Sequence, residues 1–386
     1  MRKLFAIMLL ATSVVACTDD DQYSMDYFQE KYGDKAESSD TTQVITPKDT
    51  ISVAIVYSGN TAQVMGDVDS VTVTKNGADV IIDSKKERYL QLTLSGSTDD
   101  GSLLVYSLVK WGLVLNGVSI TNNDGPAINN QCGKALYLTL SDSTTLKDGT
   151  SYTETTAYSQ KGTFFSEGQI YINGTGSLAI YGNSRNGLAS DDYIIMQGGK
   201  VNVNMSKTGN HGVKVNDGFT MQGGTLNVDV KADGARGIKC DARVTIAGGD
   251  VKITTSGDCL SEEVDGVEDV STAAGIKCDS LFTMTAGTLT ISSSGDGGKG
   301  INCADSIKFM GGTLVAQTTG SNDEGKPKAV KGDKGIYVSG GSFTASCKKS
   351  WALDNGVDTD EPDKRITISG NPTKTIQKRY VYIKYE

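Results

Sequence analysis

The sequence predicts an all-β protein, a right-handed single-stranded parallel β-helix built from coils of about 25 residues. Three observations predict this fold: the composition, a repeat of constant length, and short runs that alternate apolar and polar residues. The chain has 386 residues with 46 Gly and only 5 Pro. Many of the remaining positions are Thr, Val, Ile and Ser, a composition that favours strands and tight turns over helices.

The repeat is marked by a glycine followed by an apolar residue, as in the pentapeptide GIKCD at Gly237–Asp241 and Gly275–Asp279. The markers are Gly187, Gly212, Gly237, Gly275, Gly300 and Ala329. The steps are 212−187 = 25, 237−212 = 25, 275−237 = 38, 300−275 = 25 and 329−300 = 29, so two steps carry insertions of 13 and 4 residues. A β-propeller blade needs about 40 residues, and the shorter period therefore favours a solenoid.

Each period contains three segments of alternating pattern, which predicts three short strands with one buried face. The apolar column one residue after the marker is Leu188, Val213, Ile238, Ile276, Ile301 and Val330. Glycine pairs such as Gly198-Gly199 and Gly248-Gly249 separate the second and third segments. Glycine at that point fits a turn with positive φ, and the marker glycine is expected to form another corner.

The chain is expected to have three parts. Residues 1–17 resemble a lipoprotein signal peptide: Arg2 and Lys3 precede a short apolar run that ends in a lipobox at Cys17. Residues 18–46 form an acidic flexible tether, and its start, TDDD, resembles the export signal of surface-exposed Bacteroidetes lipoproteins. Residues 47–386 form the β-helix. A lipid on Cys17 would anchor the protein to the outer membrane, at the cell surface.

Charge and motifs exclude several functions. The formal net charge of -9 disfavours nucleic acid and anionic lipid as partners. His211 is the only histidine, which disfavours a catalytic triad, and no zinc-ligand spacing is present. The run GDGGKG at Gly295–Gly300 formally matches a dinucleotide motif, but it lies at a coil corner without a following helix. No residue is therefore assigned a catalytic role.

The alternation within GIKCD places Ile238 and Cys240 inside and Lys239 and Asp241 outside. Cysteine shares its column with Val215 and Ser190, which indicates a small interior position and not a reactive thiol. The pairing of Cys132, Cys259 and Cys347 stays open.

The outward aspartates are the candidate metal ligands. The set comprises Asp191, Asp241, Asp279 and Asp333 in one column, Asp192, Asp217 and Asp305 one residue later, and Asp258, Glu262 and Asp265 in the longer insertion. Coils stack about 4.8 Å apart, so like charges in a column repel. Two remedies are open: the neighbouring lysine column, which includes Lys214, Lys239 and Lys277, or Ca²⁺, which prefers several oxygen ligands.

No continuous run of outward aromatic residues is evident. Tyr171, Tyr181, Tyr193 and Trp111 are single candidates for sugar stacking.

Several segments resemble a family of calcium-binding, carbohydrate-binding β-helix proteins typified by a clostridial cellulose- and pectin-binding protein. They include LVLNGVSITNNDGPAINN, TTLKDGTSY, FFSEGQIYINGTGSLAIYG and the repeated GIKCD. The resemblance covers residue 69 to the C-terminus. It implies a polysaccharide-lyase-like fold, bound Ca²⁺, and ligands among Asp191, Asp192 and their equivalents. Asn216 and Ala304 interrupt that column, so not every coil can supply the same site.

The sequence thus predicts a surface-anchored, calcium-dependent, non-catalytic protein whose partner is an acidic or cellulosic polysaccharide. Two alternatives remain. One is a lyase that uses a cation and a lysine or arginine base for β-elimination on uronates, with Lys214, Lys239, Lys277, Arg236 and Arg243 as basic residues near the aspartates. The other is a surface adhesin or structural component.

Overall fold

The computed structural model describes residues 49–264, 267–321, 323 and 325–386, with residues 262–264 and 267–269 described by their backbone alone. Strands dominate this part of the chain, which confirms the all-β class. Two 3₁₀ turns, Val68–Ser70 and Pro362–Arg365, are its helical elements. Within these ranges no helix has the length and apolar character needed to cross a membrane. The predicted signal peptide, Cys17 and the tether lie outside the described residues and stay predictions.

The strands follow one another in short succession. Those of the first four coils are β1 Ile51–Ser58, β2 Thr61–Gly66, β3 Thr72–Asn76, β4 Asp79–Ser84, β5 Leu90–Thr98, β6 Ser102–Ser107, β7 Trp111–Leu115, β8 Ser119–Asn122, β9 Ile128–Asn130, β10 Leu136–Leu140, β11 Ser143–Asp148, β12 Gly162–Ser166, β13 Ile170–Gly174 and β14 Ser177–Gly182. The regular coils contain β15 Asn186–Ser190, β16 Tyr193–Met196, β17 Lys200–Met205, β18 Val213–Val215, β19 Gly218–Met221, β20 Thr225–Val230, β21 Arg236–Cys240, β22 Arg243–Ile246 and β23 Asp250–Thr255. After them come β24 Leu260–Val264, β25 Val267–Ser271, β26 Ala274–Cys278, β27 Phe282–Met284, β28 Thr288–Ser293, β29 Lys299–Cys303, β30 Ile307–Phe309, β31 Thr313–Thr318, β32 Lys328–Gly332, β33 Ile336–Val338, β34 Ser342–Cys347, β35 Leu353–Asp354, β36 Thr367–Ile368, β37 Thr373–Gln377 and β38 Tyr380–Lys384.

Each regular coil contributes one strand to each of three parallel ladders, and the solenoid has about 11 turns. The first ladder runs through β15, β18, β21, β26, β29 and β32, the second through β16, β19, β22, β27, β30 and β33, and the third through β17, β20, β23, β28, β31 and β34. Partners in the first ladder are in the register that the sequence predicts: Ile238 pairs with Val213 on one side and Ile276 on the other. The predicted parallel solenoid is therefore confirmed.

The apolar columns form one continuous core. Ile238, Ile276 and Ile301 have no solvent exposure, and the cysteine column is equally buried. Burial of each such isoleucine side chain contributes about 1.5–3 kcal/mol. Because every coil repeats the same positions, the core is a stack of similar layers. The outward positions of the ladders then form long parallel faces.

The marker glycine has a different role from the predicted corner. Gly237 lies inside β21 and its φ is not positive. A Cβ at Gly237 would lie 2.2 Å from Cγ2 of Ile253 and 2.6 Å from the carbonyl oxygen of Gly275. Close approach of neighbouring coils, and not backbone conformation, requires glycine here. The Gly-Gly turns do behave as predicted, since Gly249 has φ of 70°.

Antiparallel strands close both ends of the described solenoid. At its start β1 pairs with β2, and β3 pairs with β4. At its end β38 pairs with β34 and with β37. These hairpins cover ladder edges that would otherwise present unpaired N–H and C=O groups.

Candidate functional site

The outward face of the first ladder carries alternating lysines and aspartates. Strand register stacks Lys214, Lys239 and Lys277 in consecutive coils. Two residues further along each strand, or just past its end, lie Asn216, Asp241 and Asp279. We call this surface, from Asp191 to Asp333, the lysine–aspartate ladder.

Lysines in this ladder bridge neighbouring coils. Lys239 bonds to Asp241 in its own coil and, with 3.0 Å between Nζ and Oδ2, to Asp279 in the next. Lys214 bonds to Asp241 from the preceding coil. The remaining pairs are Lys161 with Asp191, Lys277 with Asp279 at 3.5 Å, and Lys331 with Asp333. Each aspartate of the column therefore has at least one ammonium partner.

The pairing changes the titration of both partners. Burial alone would raise the pKa of Asp241, but hydrogen bonds from Lys214 and Lys239 hold it below its ordinary range. Burial would lower the pKa of Lys239, yet Asp241 and Asp279 together raise it. A lysine with a raised pKa stays protonated and cannot remove a proton. Lys239 is therefore unsuited to the role of elimination base.

This arrangement does not fit Ca²⁺ at the lysine–aspartate ladder. Calcium takes about 6–8 oxygen ligands, whereas the carboxylates here already accept hydrogen bonds from ammonium groups. No group of three or more His, Cys, Asp or Glu suited to a metal occurs in the part of the chain that the structure describes. The lysine ammonium groups relieve the repulsion between stacked carboxylates, which was the reason for considering calcium here. Calcium itself stays a prediction.

Asp192 and Asp217 lie together at the edge of this face. The Asp217 N–H donates to the Asp192 carbonyl oxygen at 3.0 Å. The Asp192 carboxylate accepts from the Tyr193 N–H at 2.9 Å and from Nε2 of Gln169. Burial raises the pKa of Asp192, and the charge of Asp217 raises it further. Among the described residues, neither carboxylate forms an ion pair with a lysine or arginine.

The other predicted ligands are scattered. Asp305 pairs with Lys334 at 3.1 Å, and this bond lowers the pKa of Asp305. Asp258 lies in a different corner, where its carboxylate accepts from the Asp296 N–H at 2.8 Å. The side chain of Glu262 and the whole of Asp265 are outside the described residues. The structure therefore places Asp258 apart from the column.

The cysteines and the histidine are structural. Six cysteines are buried within the described residues: Cys132, Cys240, Cys259, Cys278, Cys303 and Cys347. Burial raises the pKa of Cys240 to about 11, as expected for an unreactive core thiol. Burial, aided by the charge of Arg236, lowers the pKa of His211 to about 3. Its Nδ1 accepts from the Arg236 N–H at 3.2 Å.

Four tyrosines form a cluster: Tyr89 directly precedes β5, and Tyr137, Tyr171 and Tyr193 lie on β10, β13 and β16. The ring centroids of Tyr137 and Tyr171 are 5.1 Å apart with an interplanar angle of 20°, a stacked pair. Tyr193 meets Tyr171 edge-on, with 2.5 Å between the two hydroxyl oxygens. On the side away from Tyr171, the strand partner of Tyr137 is Gly112. The Tyr89 hydroxyl lies over Gly112, 2.5 Å from where a Cβ of that residue would be, so Tyr89 completes the cluster on that side. We call Tyr89, Tyr137, Tyr171 and Tyr193 the tyrosine cluster.

Polar groups border the tyrosine cluster. The side chain of Gln91 reaches the space above Gly112, and Gln169 and Asp192 flank Tyr193. Tyr137 is 39% exposed, and burial raises the pKa of Tyr89 to about 12. The cluster can therefore offer apolar ring surface, neutral hydroxyls and amide groups together. This is the chemistry that contacts both the C–H faces and the hydroxyls of a sugar.

The sequence prediction missed this cluster. It treated Tyr171 and Tyr193 as isolated and Trp111 as an outward candidate, but Trp111 is fully buried. Tyr137 pairs with Tyr171 in strand register, and that alignment lies in early coils whose spacing departs from the period of 25. The signal was present in YLTL and YING, but insertions between those coils hid the register.

Comparisons with known proteins give one family match and one match to a solved structure. A family model described as "Carbohydrate-binding domain-containing protein" matches residues 67–241 and 230–325. No curated protein matches the chain. Among solved structures, the polysaccharide lyase-like protein from C. thermocellum, solved as a gadolinium derivative, is 24% identical with a TM-score of 0.52. The match covers 67% of this chain and 97% of that one, and at this identity it shows the fold alone.

Proposed function

Because the chain belongs to the family of carbohydrate-binding domain-containing proteins, we propose that it binds a polysaccharide along the outer faces of its parallel ladders without cleaving it. The observation that carries the proposal is the tyrosine cluster with its border of Gln91, Gln169 and Asp192. A polysaccharide lying across successive coils would meet the rings of Tyr137 and Tyr171, which are strand partners in neighbouring coils with centroids 5.1 Å apart. Each ring can pack against sugar C–H groups while its hydroxyl bonds to sugar hydroxyls.

Titration of the protein with cello-oligosaccharides and oligogalacturonates tests the proposal. We expect Tyr137→Ala or Tyr171→Ala to weaken binding by about tenfold, since an aromatic contact contributes about 0.5–1.5 kcal/mol beyond area burial. Tyr181→Ala is the matched control, because Tyr181 is 44% exposed on β14 but is not in the cluster. Equal loss in all three variants, or loss only in the control, would contradict this placement. Absence of binding to any glycan would contradict the function itself.

Calcium dependence is a separate part of the proposal, and we assign it to Asp192 and Asp217. These two carboxylates adjoin without a lysine partner among the described residues. They are too few to bind calcium alone, so water and glycan oxygens would have to supply the remaining ligands. We expect chelation to weaken glycan binding by the natural chain and to leave Asp217→Asn unaffected. Binding that is equally strong with and without chelator would remove calcium from the proposal.

Membrane anchoring through Cys17 completes the proposed role. Its support is the lipobox and the acidic residues that follow it. A lipid at that position, followed by the tether, would hold the binding face at the cell surface. Extraction with detergent tests this part, since Cys17→Ser should release the protein into the aqueous fraction.

Polysaccharide cleavage is the second candidate, favoured by one observation. Burial and the charges of Lys331 and Lys328 lower the pKa of Lys299 to about 8, so part of the Lys299 population is neutral near physiological pH. A neutral lysine could remove the proton next to a uronate carboxyl group. Ultraviolet absorbance of the unsaturated product would identify cleavage of oligogalacturonate.

A further inference from the structure

A cavity of about 320 Å³ opens beside the first ladder. Its lining residues are Val270, Thr272, Lys299, Gly325, Lys326, Lys328, Lys331 and Asp354. The volume lies at the lower end of the range of about 300–1,000 Å³ for small-molecule sites. It is therefore large enough to hold one sugar unit of a longer chain.

Both irregular steps of the repeat contribute to this cavity. The insertion of 13 residues forms the hairpin of β24 and β25, and Val270 and Thr272 come from its end. The insertion of 4 residues precedes β32 and supplies Gly325 and Lys326. Two insertions separated along the chain thus meet at one place, which a purely structural solenoid does not need.

The cavity contains two buried lysines, and the charge of Asp354 offsets only part of the burial cost of Lys328. Lys299 is 8% exposed and Lys328 is 6% exposed, and the two are direct strand partners in neighbouring coils. Nζ of Lys299 donates to Oγ1 of Thr272 at 2.9 Å, and Nζ of Lys328 donates to Oγ of Ser350 at 3.0 Å. Neither lysine forms an ion pair with a residue that the structure describes. Buried ammonium groups are costly unless a negative charge accompanies them.

The described lining residues carry more positive than negative charge. Lys326 and Lys331 add two further ammonium groups to the lining, and Asp354 is the one acidic residue among the described lining residues. Asp354 also lies 3.8 Å from Arg365, and Lys331 already bonds to Asp333. An anion entering the cavity would therefore meet two ammonium groups that form no ion pair with a described side chain. The attraction between this anion and the buried ammonium groups would offset the cost of their burial.

We propose that this cavity, between Lys299, Lys328 and the two insertions, binds the anionic group of an acidic sugar directly through lysine, without a metal ion. The inference rests on the proposed function and deepens it, because it assigns a separate subsite for the acidic units of a polysaccharide. A carboxylate or a sulfate ester could supply the charge. The tyrosine cluster would contact neutral sugar faces, and this subsite would discriminate by charge.

The test compares glycans and variants with chelator present throughout. The glycans are oligogalacturonate, a sulfated oligosaccharide and a cello-oligosaccharide, and the double variant is Lys299→Met with Lys328→Met. We expect affinity for one or both acidic glycans to fall by about tenfold to a hundredfold, the range for hydrogen bonds to a charged group. Affinity for the neutral glycan should not change. Lys308→Met is the matched control, an exposed lysine in the same coil as Lys299.

Different failures have different meanings. Unchanged acidic-glycan binding in the double variant, or an equal loss for the neutral glycan, overturns the anion subsite while leaving the proposed function intact. Absence of binding to all three glycans by the natural chain, both with chelator and with added calcium, overturns the proposed function first. Whether the natural chain binds oligogalacturonate or the sulfated oligosaccharide more tightly shows whether the subsite prefers a carboxylate or a sulfate ester.

A second measurement needs no variant and so does not depend on folding of the double variant. The groups that shift the pKa of Lys299 are Lys328, Lys331, Arg236 and Cys259. Because the pKa of free Lys299 is about 8, anion affinity should fall between pH 7 and about pH 9. Neutral-glycan affinity should stay constant over the same interval. Acidic-glycan binding that is independent of pH overturns the role of Lys299.

Discussion

At the scale of single residues, the lysine–aspartate ladder is a chain of shared charges. Lys239 has a side chain only 15% exposed and contacts two carboxylates in different coils. Like charges would otherwise face one another at about 4.8 Å. Lysine in this column therefore links neighbouring coils by ion pairs, and it offsets the negative charge of the stacked aspartates.

Replacement of Lys239 by methionine should lower the free energy of unfolding by about 1–2 kcal/mol at pH 7, a modest value because the carboxylates are partly exposed to solvent. The pKa of Asp241 is lowered in the folded state. Its pairing therefore stabilises the protein above the ordinary carboxyl range, and the effect is lost as pH falls through the lowered value. Urea unfolding of both proteins at pH 7 and at about pH 2.5 should show a difference that shrinks in acid.

Lys308→Met provides the comparison for this experiment. Lys308 is exposed and forms no ion pair within the described residues. An equal loss of stability in both variants would mean that the bridging contacts of Lys239 contribute nothing specific.

At the scale of elements, the turn between the second and third ladders decides how tightly coils stack. Gly249 combines φ of 70° with close backbone contact: a Cβ there would lie 2.8 Å from the carbonyl oxygen of Gly224. The left-handed conformation disfavours every residue except glycine, and the neighbouring coil leaves no space for a side chain. The repeated Gly-Gly pair thus satisfies both requirements.

Gly249→Ala should destabilise the protein by at least about 1–2 kcal/mol, the cost of the left-handed conformation before the contact with Gly224 is added. Thermal unfolding followed by circular dichroism measures the effect. Gly133→Ala is the matched control, since a Cβ there meets nothing within 4 Å and its φ is not positive. A Gly249→Ala protein as stable as the control would show that the turn relaxes without cost.

At the scale of the whole molecule, the described solenoid depends on its closed ends. The hairpin of β37 and β38 covers the last strand of the third ladder, and its residues Val381 and Ile383 are buried in the core. Without this hairpin, β34 would present both an open edge and apolar core surface.

A chain that ends at Asn371 should therefore associate through the uncovered end. We expect earlier elution in gel filtration, with a position that depends on protein concentration. Lys374→Ala changes the exposed side of the same hairpin and should elute like the natural chain. Identical elution of the truncated and natural chains at all concentrations would contradict a protective role for the hairpin.

The sequence alone determined the class of fold, the coil length and the direction of most side chains from residue 187 onward. It could do so because a solenoid repeats its contacts at a constant spacing, and the inward position of Cys240 follows from its column. It misjudged the marker glycine, because the need for glycine at Gly237 arises from Ile253 and Gly275 in other strands. Local pattern cannot reveal such an approach.

Only the tertiary structure decided which outward residues meet. The bridge from Lys239 to Asp279 spans 40 positions of sequence, and the tyrosine cluster joins early coils whose insertions conceal their register. The cavity between Lys299 and Lys328 depends on two insertions that are far apart in the chain. Periodic burial is written into the sequence residue by residue, whereas a binding surface depends on how coils of unequal length come together in space.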